Sequence, residues 1–294
     1  MERNFQEMLA SRWEAANSMV CVGLDSEFAK IPEAAFRKGN ECDIDIANTM
    51  VAFNYDIVKA THDLVCAYKI NLAFYAAHGS EGINALVRTI IDIHIIDRDM
   101  PIILDGKFAD IGNTNAGYAE FAFSVLHVDA ITVHPYLGSE ALQPFLDRAG
   151  KGIFVLCRTS NKGAGEFQDP LVPVPGTGHH VPMYQYVAHR VATEWNKNGN
   201  CGLVVGATYP GELASVRRIV DDMPILIPGI GAQGGDVEAT VKAGADSKGR
   251  GMVINSSRSI IFASNGPDFA EVARRETIKL RDTINQYRNA KEAV

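Results

Sequence analysis

Residues 100–114 read MPIILDGKFADIGNT. Five apolar residues, Met100 to Leu104, break at once into Asp105, Lys107 and Asp110. A short run with no polar face belongs to a strand covered on both sides, and charges directly after it mark the end of such a strand at a polar mouth. Seven other stretches have the same character: SMVCVGL (18–24), LVCAYKI (64–70), VDAITVH (128–134), GIFVLC (152–157), CGLVVGA (201–207), MPILIPG (223–229) and GMVIN (251–255).

Helix-compatible segments lie between these runs. Ile46, Met50, Phe53 and Ile57 fall on one helical face, as do Ile83, Leu86, Val87 and Ile90. Strand and helix therefore alternate, which calls for a parallel sheet, and eight units are the number that closes a (β/α)8 TIM barrel. The expected architecture is a single barrel domain over 1–294, with an amphipathic helix at its N-terminus and a long loop after the fifth strand. An open doubly wound sheet is the alternative.

Catalytic groups of such barrels sit on the loops after the strand C-termini. Those positions are polar throughout: Asp25, then Lys69 with Asn71, Asp105 with Lys107, His134, Arg158 to Ser160, PGIGAQGGD (228–236), and Ser256 to Arg258. Alternate strand residues share a side, so Asp105 and Lys107 are expected to face the mouth together, with Lys69 arriving from the neighbouring strand. Interleaved ammonium and carboxylate groups hold one another ionised and titrate as a unit. Spacing alone fits a reactive site and a structural salt-bridged strand end equally well. The Gly-rich loop with Gln233 after the seventh run and Arg258 after the eighth read as a phosphate grip, a recurrent use of these two loops. Residues 158–182 form the longest stretch without periodicity, which fits an active-site lid or a solvated insertion without a role.

Composition narrows the function classes. The chain has 294 residues, 47% hydrophobic and 21% charged, with 28 Lys plus Arg against 35 Asp plus Glu for a net charge of −7. No basic tract attracts a nucleic acid or an anionic membrane, and no apolar run of about 18 residues suggests a span. Cys21, Cys42, Cys66, Cys157 and Cys201 are odd in number and contain no C-x-x-C pair, which argues against a disulfide framework and a zinc site. No export signal is read at the N-terminus, so the cytoplasm is the expected location.

The pattern Asp105, Lys107, Asp110, Ile111, Thr114, flanked by VGLD, YKIN, LCRTSN, PGIGAQGGD and SSRSI, resembles orotidine 5'-phosphate decarboxylases, specifically their longer bacterial subgroup. The resemblance implies cofactor-free decarboxylation of orotidine 5'-phosphate to uridine 5'-phosphate. It makes Lys69, Asp105, Lys107 and Asp110 the catalytic array, with Lys107 protonating C6. It also implies ribose contacts from Asp25 and Lys69, a pyrimidine contact from Ser160, and phosphate contacts from Gln233 and Arg258. Ile111 is implied as a further substrate-binding residue, and a homodimer is implied in which Asp110 and Thr114 reach into the partner's site. Compact members often carry Gly before the phosphate Arg, where this chain has Ser257.

His134 has no role in this scheme, and His179 and His180 lie in the long loop. Two rivals stand beside the decarboxylase: a metal-dependent lyase or epimerase acting on sugar phosphates, and a silent barrel that binds a nucleotide or protein.

Overall fold

In the computed structural model, which describes residues 3–39, 45–176, 178–231 and 235–289, all eight apolar runs are strands of one closed barrel. In chain order they are Val20–Gly23, Ala67–Asn71, Ile102–Phe108, Ala130–Val133, Gly152–Arg158, Cys201–Val205, Ile225–Pro228 and Met252–Ser256. Each pairs in parallel with its neighbour, and the eighth pairs with the first through Val20 and Ile254, Cys21 and Asn255, Val22 and Ser256. Closure rules out the open sheet.

Helices Ile46–Thr61 and Gly79–Ile96 form where the periodicity puts them. The first buries Met50, Phe53 and Ile57 as expected. The second turns its face slightly, burying Ala85, Leu86, Thr89, Ile90 and Ile93 and leaving Ile83 half-buried. The helix Phe5–Ala15, capped by the Asn4 side chain accepting from the Glu7 amide, buries Phe5, Leu9 and Trp13. Phe5 meets Phe154 edge to face at 5.6 Å, so this helix plugs the barrel at the end where strands begin. Arg3 bonds both carboxylate oxygens of the buried Asp129 at 2.8 Å on the same side. The opposite end is left free for chemistry.

The segment after the fifth strand differs from the expected unstructured loop. It contains a helical turn, Gly165–Gln168, and a two-stranded antiparallel hairpin pairing Leu171–Pro173 with His180–Pro182. Three-residue strands containing proline are too short and too atypical to show a period-two pattern. None of the described helices is long and apolar enough to cross a membrane.

Candidate active site

A cavity of about 480 Å³ opens at the C-terminal ends of the strands, lined by residues from seven of them and the loops that follow. Its charged wall is a relay of four side chains. Lys69 Nζ donates to Asp25 Oδ1 at 2.9 Å and lies 3.2 Å from Asp105 Oδ2; Lys107 Nζ donates to Asp105 Oδ1 at 2.7 Å. The order is carboxylate, ammonium, carboxylate, ammonium. Lys69 is almost wholly buried, whereas the Lys107 side chain is 49% exposed and therefore faces whatever enters.

Each member is held from behind. The loop carrying Asp25 is fixed by a buried polar cluster: Ser26 Oγ donates to Asn54 Oδ1, Asn54 Nδ2 donates to Tyr75 Oη and to Thr89 Oγ1, and Tyr75 donates to the Leu24 carbonyl. Regular alternation does not by itself bring Asp105 to Lys107. The third strand changes register against the fourth between Leu104 and Phe108, and Lys107 takes a left-handed backbone with φ of 48°. A bulge of this kind re-aims side chains at a barrel rim, and a non-glycine residue at positive φ stores about 1–3 kcal/mol of strain. Gly106 makes the turn possible, because a Cβ there would come within 2.4 Å of the Phe108 ring. Thr132 on the fourth strand locks the result, accepting from the Lys107 amide and donating to Asp105 Oδ1, each at 2.9 Å.

Electrostatics keep the two inner groups of the relay, Asp105 and Lys69, ionised. Burial opposes the Asp105 carboxylate, but Lys69 and then Lys107 outweigh it and hold the group down at about 2. Burial likewise opposes the Lys69 ammonium, and Asp25 and Asp105 reverse that, holding it above its ordinary range. A buried ion pair in a recessed wall is costly in isolation and is sustained by its own pairing.

Arg258, Ser257, Gly229 and Ile230 line the other side of the cavity. The Ser257 hydroxyl donates to the Gly23 carbonyl at 2.8 Å, tying the end of the eighth strand to the first. Gln233 lies outside the described residues. Ser160 lines the cavity from the fifth loop, seated against Gly206, where a Cβ would come within 2.7 Å of the serine's own. Apolar Leu156, Val204, Leu226 and Pro228 complete the wall.

Three expected residues do not meet the relay within the chain. Asp110 accepts from the Ile111 amide at 2.6 Å, and its own amide donates to Asn115. Asp110, Ile111 and Thr114 do not line the cavity, and Ile111 and Thr114 are exposed. The fourth charge beside Lys69, Asp105 and Lys107 is thus Asp25. His134 lines a separate apolar groove, where burial lowers its pKa, and His179 and His180 are exposed. Among the described residues no group of His, Cys, Asp or Glu is placed to hold a metal ion. Cys21, Cys66, Cys157 and Cys201 are buried free thiols. Thr132, Asn255 and Gln168 are cavity residues that sequence reasoning missed. Only Thr132 left a signal, as the one hydroxyl inside the apolar run ending at His134.

Comparison with known proteins gives a consistent set of likenesses. Residues 18–273 match the family described as "Orotidine 5'-phosphate decarboxylase / HUMPS family". Proteins named orotidine 5'-phosphate decarboxylase from Ralstonia pickettii and Cupriavidus metallidurans are 47% and 46% identical, each over 97% of this chain and 99% of their own length. The structure of Leishmania donovani OMP decarboxylase superposes with a TM-score of 0.79 at 36% identity, covering 97% of this chain and 98% of that one. Leishmania donovani UMP synthase gives 0.81 at 37% identity, over 97% of this chain and 57% of that longer protein.

Proposed function

The chain belongs to the orotidine 5'-phosphate decarboxylase / HUMPS family, and from that premise we propose that its barrel mouth decarboxylates orotidine 5'-phosphate without a cofactor, with Lys107 as the proton donor. The enzyme is a carboxy-lyase of pyrimidine biosynthesis. The observation that carries the finer reading is the relay Asp25, Lys69, Asp105, Lys107, whose exposed ammonium end shares one cavity with Arg258.

In this reading Arg258 and Gln233 take the phosphate, Asp25 and Lys69 the ribose hydroxyls, and Ser160 the pyrimidine. The substrate carboxylate is directed at the ionised Asp105, which disfavours the bound ground state and relaxes as charge leaves. The C6–carboxyl bond breaks, carbon dioxide departs, and the electron pair left on C6 takes a proton from Lys107 Nζ. Lys107 is placed for this by its bond to Asp105 and by its strained backbone. The binding energy of the distant phosphate goes into holding the ring against the relay, so phosphate contacts contribute to turnover as well as to affinity.

We further read the enzyme as a cytoplasmic homodimer in which Asp110, Ile111 and Thr114 complete the partner's cavity. Ile111 and Thr114 are exposed and none of the three lines its own chain's cavity, which supports this. The direct test follows the ultraviolet change as orotidine 5'-phosphate becomes uridine 5'-phosphate, before and after exhaustive treatment with EDTA. Full activity after chelation is expected. Activity that vanishes and returns with magnesium overturns the cofactor-free reading, and no turnover at all overturns the assignment.

A further inference from the structure

The fifth strand changes register against the sixth between Leu156 and Arg158, and the chain then turns through Thr159, Ser160 and Asn161 along the cavity wall. This turn is held by a residue from further along the same segment. Gln168 Oε1 accepts from the Thr159 amide and Gln168 Nε2 donates to Thr159 Oγ1, both at 2.9 Å. The Thr159 hydroxyl passes its own hydrogen to Asn161 Oδ1 at 2.7 Å.

Gln168 is itself braced. Arg158, 3% exposed, lies with its guanidinium 4.2 Å from the centre of the Tyr209 ring and sends Nη1 to Gln168 Oε1 at 3.3 Å and Nη2 to Asp169 Oδ2 at 3.4 Å. Its Nε is buried and has no hydrogen-bond partner among the described residues. A buried cation with one amide oxygen, one half-exposed carboxylate and an aromatic face around it is costly, and the feature it serves is the placement of Gln168. Gly206 backs the turn, its amide donating to the Arg158 carbonyl at 2.8 Å.

We propose that Gln168, braced by Arg158, is a positioning residue that sets the Thr159–Asn161 turn for recognition of the pyrimidine edge. The pattern of bonds explains how. Gln168 and Thr159 satisfy each other, and Asn161 Oδ1 is taken by Thr159, so the Asn161 amide is oriented with its NH₂ left to donate. The Ser160 hydroxyl, which makes no hydrogen bond among the described residues, remains both donor and acceptor. A pyrimidine presents carbonyl oxygens beside an N–H, and the turn offers the matching donor and donor–acceptor pair. Without Gln168 the same groups remain but lose their fixed spacing.

The proposal rests on the reading that Ser160 meets the pyrimidine, and its test separates base recognition from phosphate recognition. Gln168→Met keeps the side-chain length and removes both bonds to Thr159 along with the one accepted from Arg158. Inhibition constants are measured against decarboxylation for uridine 5'-phosphate, which carries the base, and ribose 5-phosphate, which lacks it. The loss of the two bonds that hold Thr159 is expected to raise the uridine 5'-phosphate constant about tenfold and leave that of ribose 5-phosphate within about twofold. Gln168→Glu keeps the acceptor for the Thr159 amide and for Arg158, and is expected to fall between wild type and Gln168→Met. Equal weakening of both ligands, or of neither, overturns the proposal, as does a glutamate variant weaker than the methionine one. Should Gln168→Met fail to fold, Thr159→Val removes the shared hydroxyl and must give the same selective loss. A wild-type protein that neither binds uridine 5'-phosphate nor turns over orotidine 5'-phosphate refutes the functional reading instead.

Discussion

Thr132 donates its hydroxyl hydrogen to Asp105 at 2.9 Å while accepting the backbone amide hydrogen of Lys107, so one hydroxyl on the fourth strand fixes both ends of the central ion pair on the third. Thr132→Val preserves shape and removes both bonds. Two lost hydrogen bonds, one of them to a charge, are expected to lower kcat/KM about 10- to 100-fold. Secondary structure by circular dichroism should not change. An unaltered rate would show that the bulge holds Asp105 and Lys107 without help.

Lys107→Ala should lower kcat by at least about a thousandfold, at the upper end of what a positioned general acid supplies. The protein should remain folded, since the Lys107 side chain is half exposed and serves no core contact. Turnover near the wild-type level would refute its assignment as proton donor.

Arg258→Ala should reduce kcat/KM about a thousandfold, the loss expected for a pair of charge-assisted bonds to phosphate. Added guanidinium chloride at millimolar concentration should restore part of it. Kinetics indifferent to the substitution would move the phosphate site elsewhere.

Lys107→Ala and Asp110→Ala, each inactive alone, should complement when their subunits exchange. In a mixed dimer one site collects both defects and the other neither, so random exchange restores roughly a quarter of wild-type activity. A mixture that stays inactive after verified exchange means that Asp110 acts within its own chain.

Stability should fall in acid partly through Asp105. Its carboxyl is held at about 2 in the folded protein, against an ordinary value of 3.8, so the unfolded chain binds the proton first as pH drops. The contribution is complete above the unfolded value, declines between about pH 5 and 2, and amounts to on the order of 2 kcal/mol. In Asp105→Asn, denaturant titrations over this range should show a slope of unfolding free energy against pH smaller by up to one proton. An unchanged slope would mean that Asp105 titrates alike in both states.

The barrel was legible in the sequence because strands buried on both faces have nearly uninterrupted apolar runs, and all eight such runs are strands. Asp25, Lys69, Asp105 and Lys107 were legible because charge directly after such a run has little reason to be there except at a mouth. What sequence reasoning missed depends on register between strands that are not read together. Thr132 reaches Asp105 only because of the shift between Leu104 and Phe108, and Gln168 returns to Thr159 only because a helical turn, not open loop, lies between them. The ion pair itself was expected from strict alternation, yet it is made by a bulge and a left-handed Lys107. Local periodicity carries no information about either.

The bond from Ser257 to Gly23 spans 234 positions, and the first strand finds one of its two partners only in the eighth. During synthesis that edge emerges early and waits. At ordinary translation rates the wait is roughly 10 to 50 s, in which a short, wholly apolar strand offers unpaired amides and carbonyls to any neighbouring chain. Nascent molecules on one messenger are thus each other's nearest hazard, and a trigger-type holdase that covers residues 18–24 should raise yield more than one acting after release. Asp25 and Arg258 stand on opposite sides of this seam, so a product that ends before the eighth strand lacks one wall of the cavity.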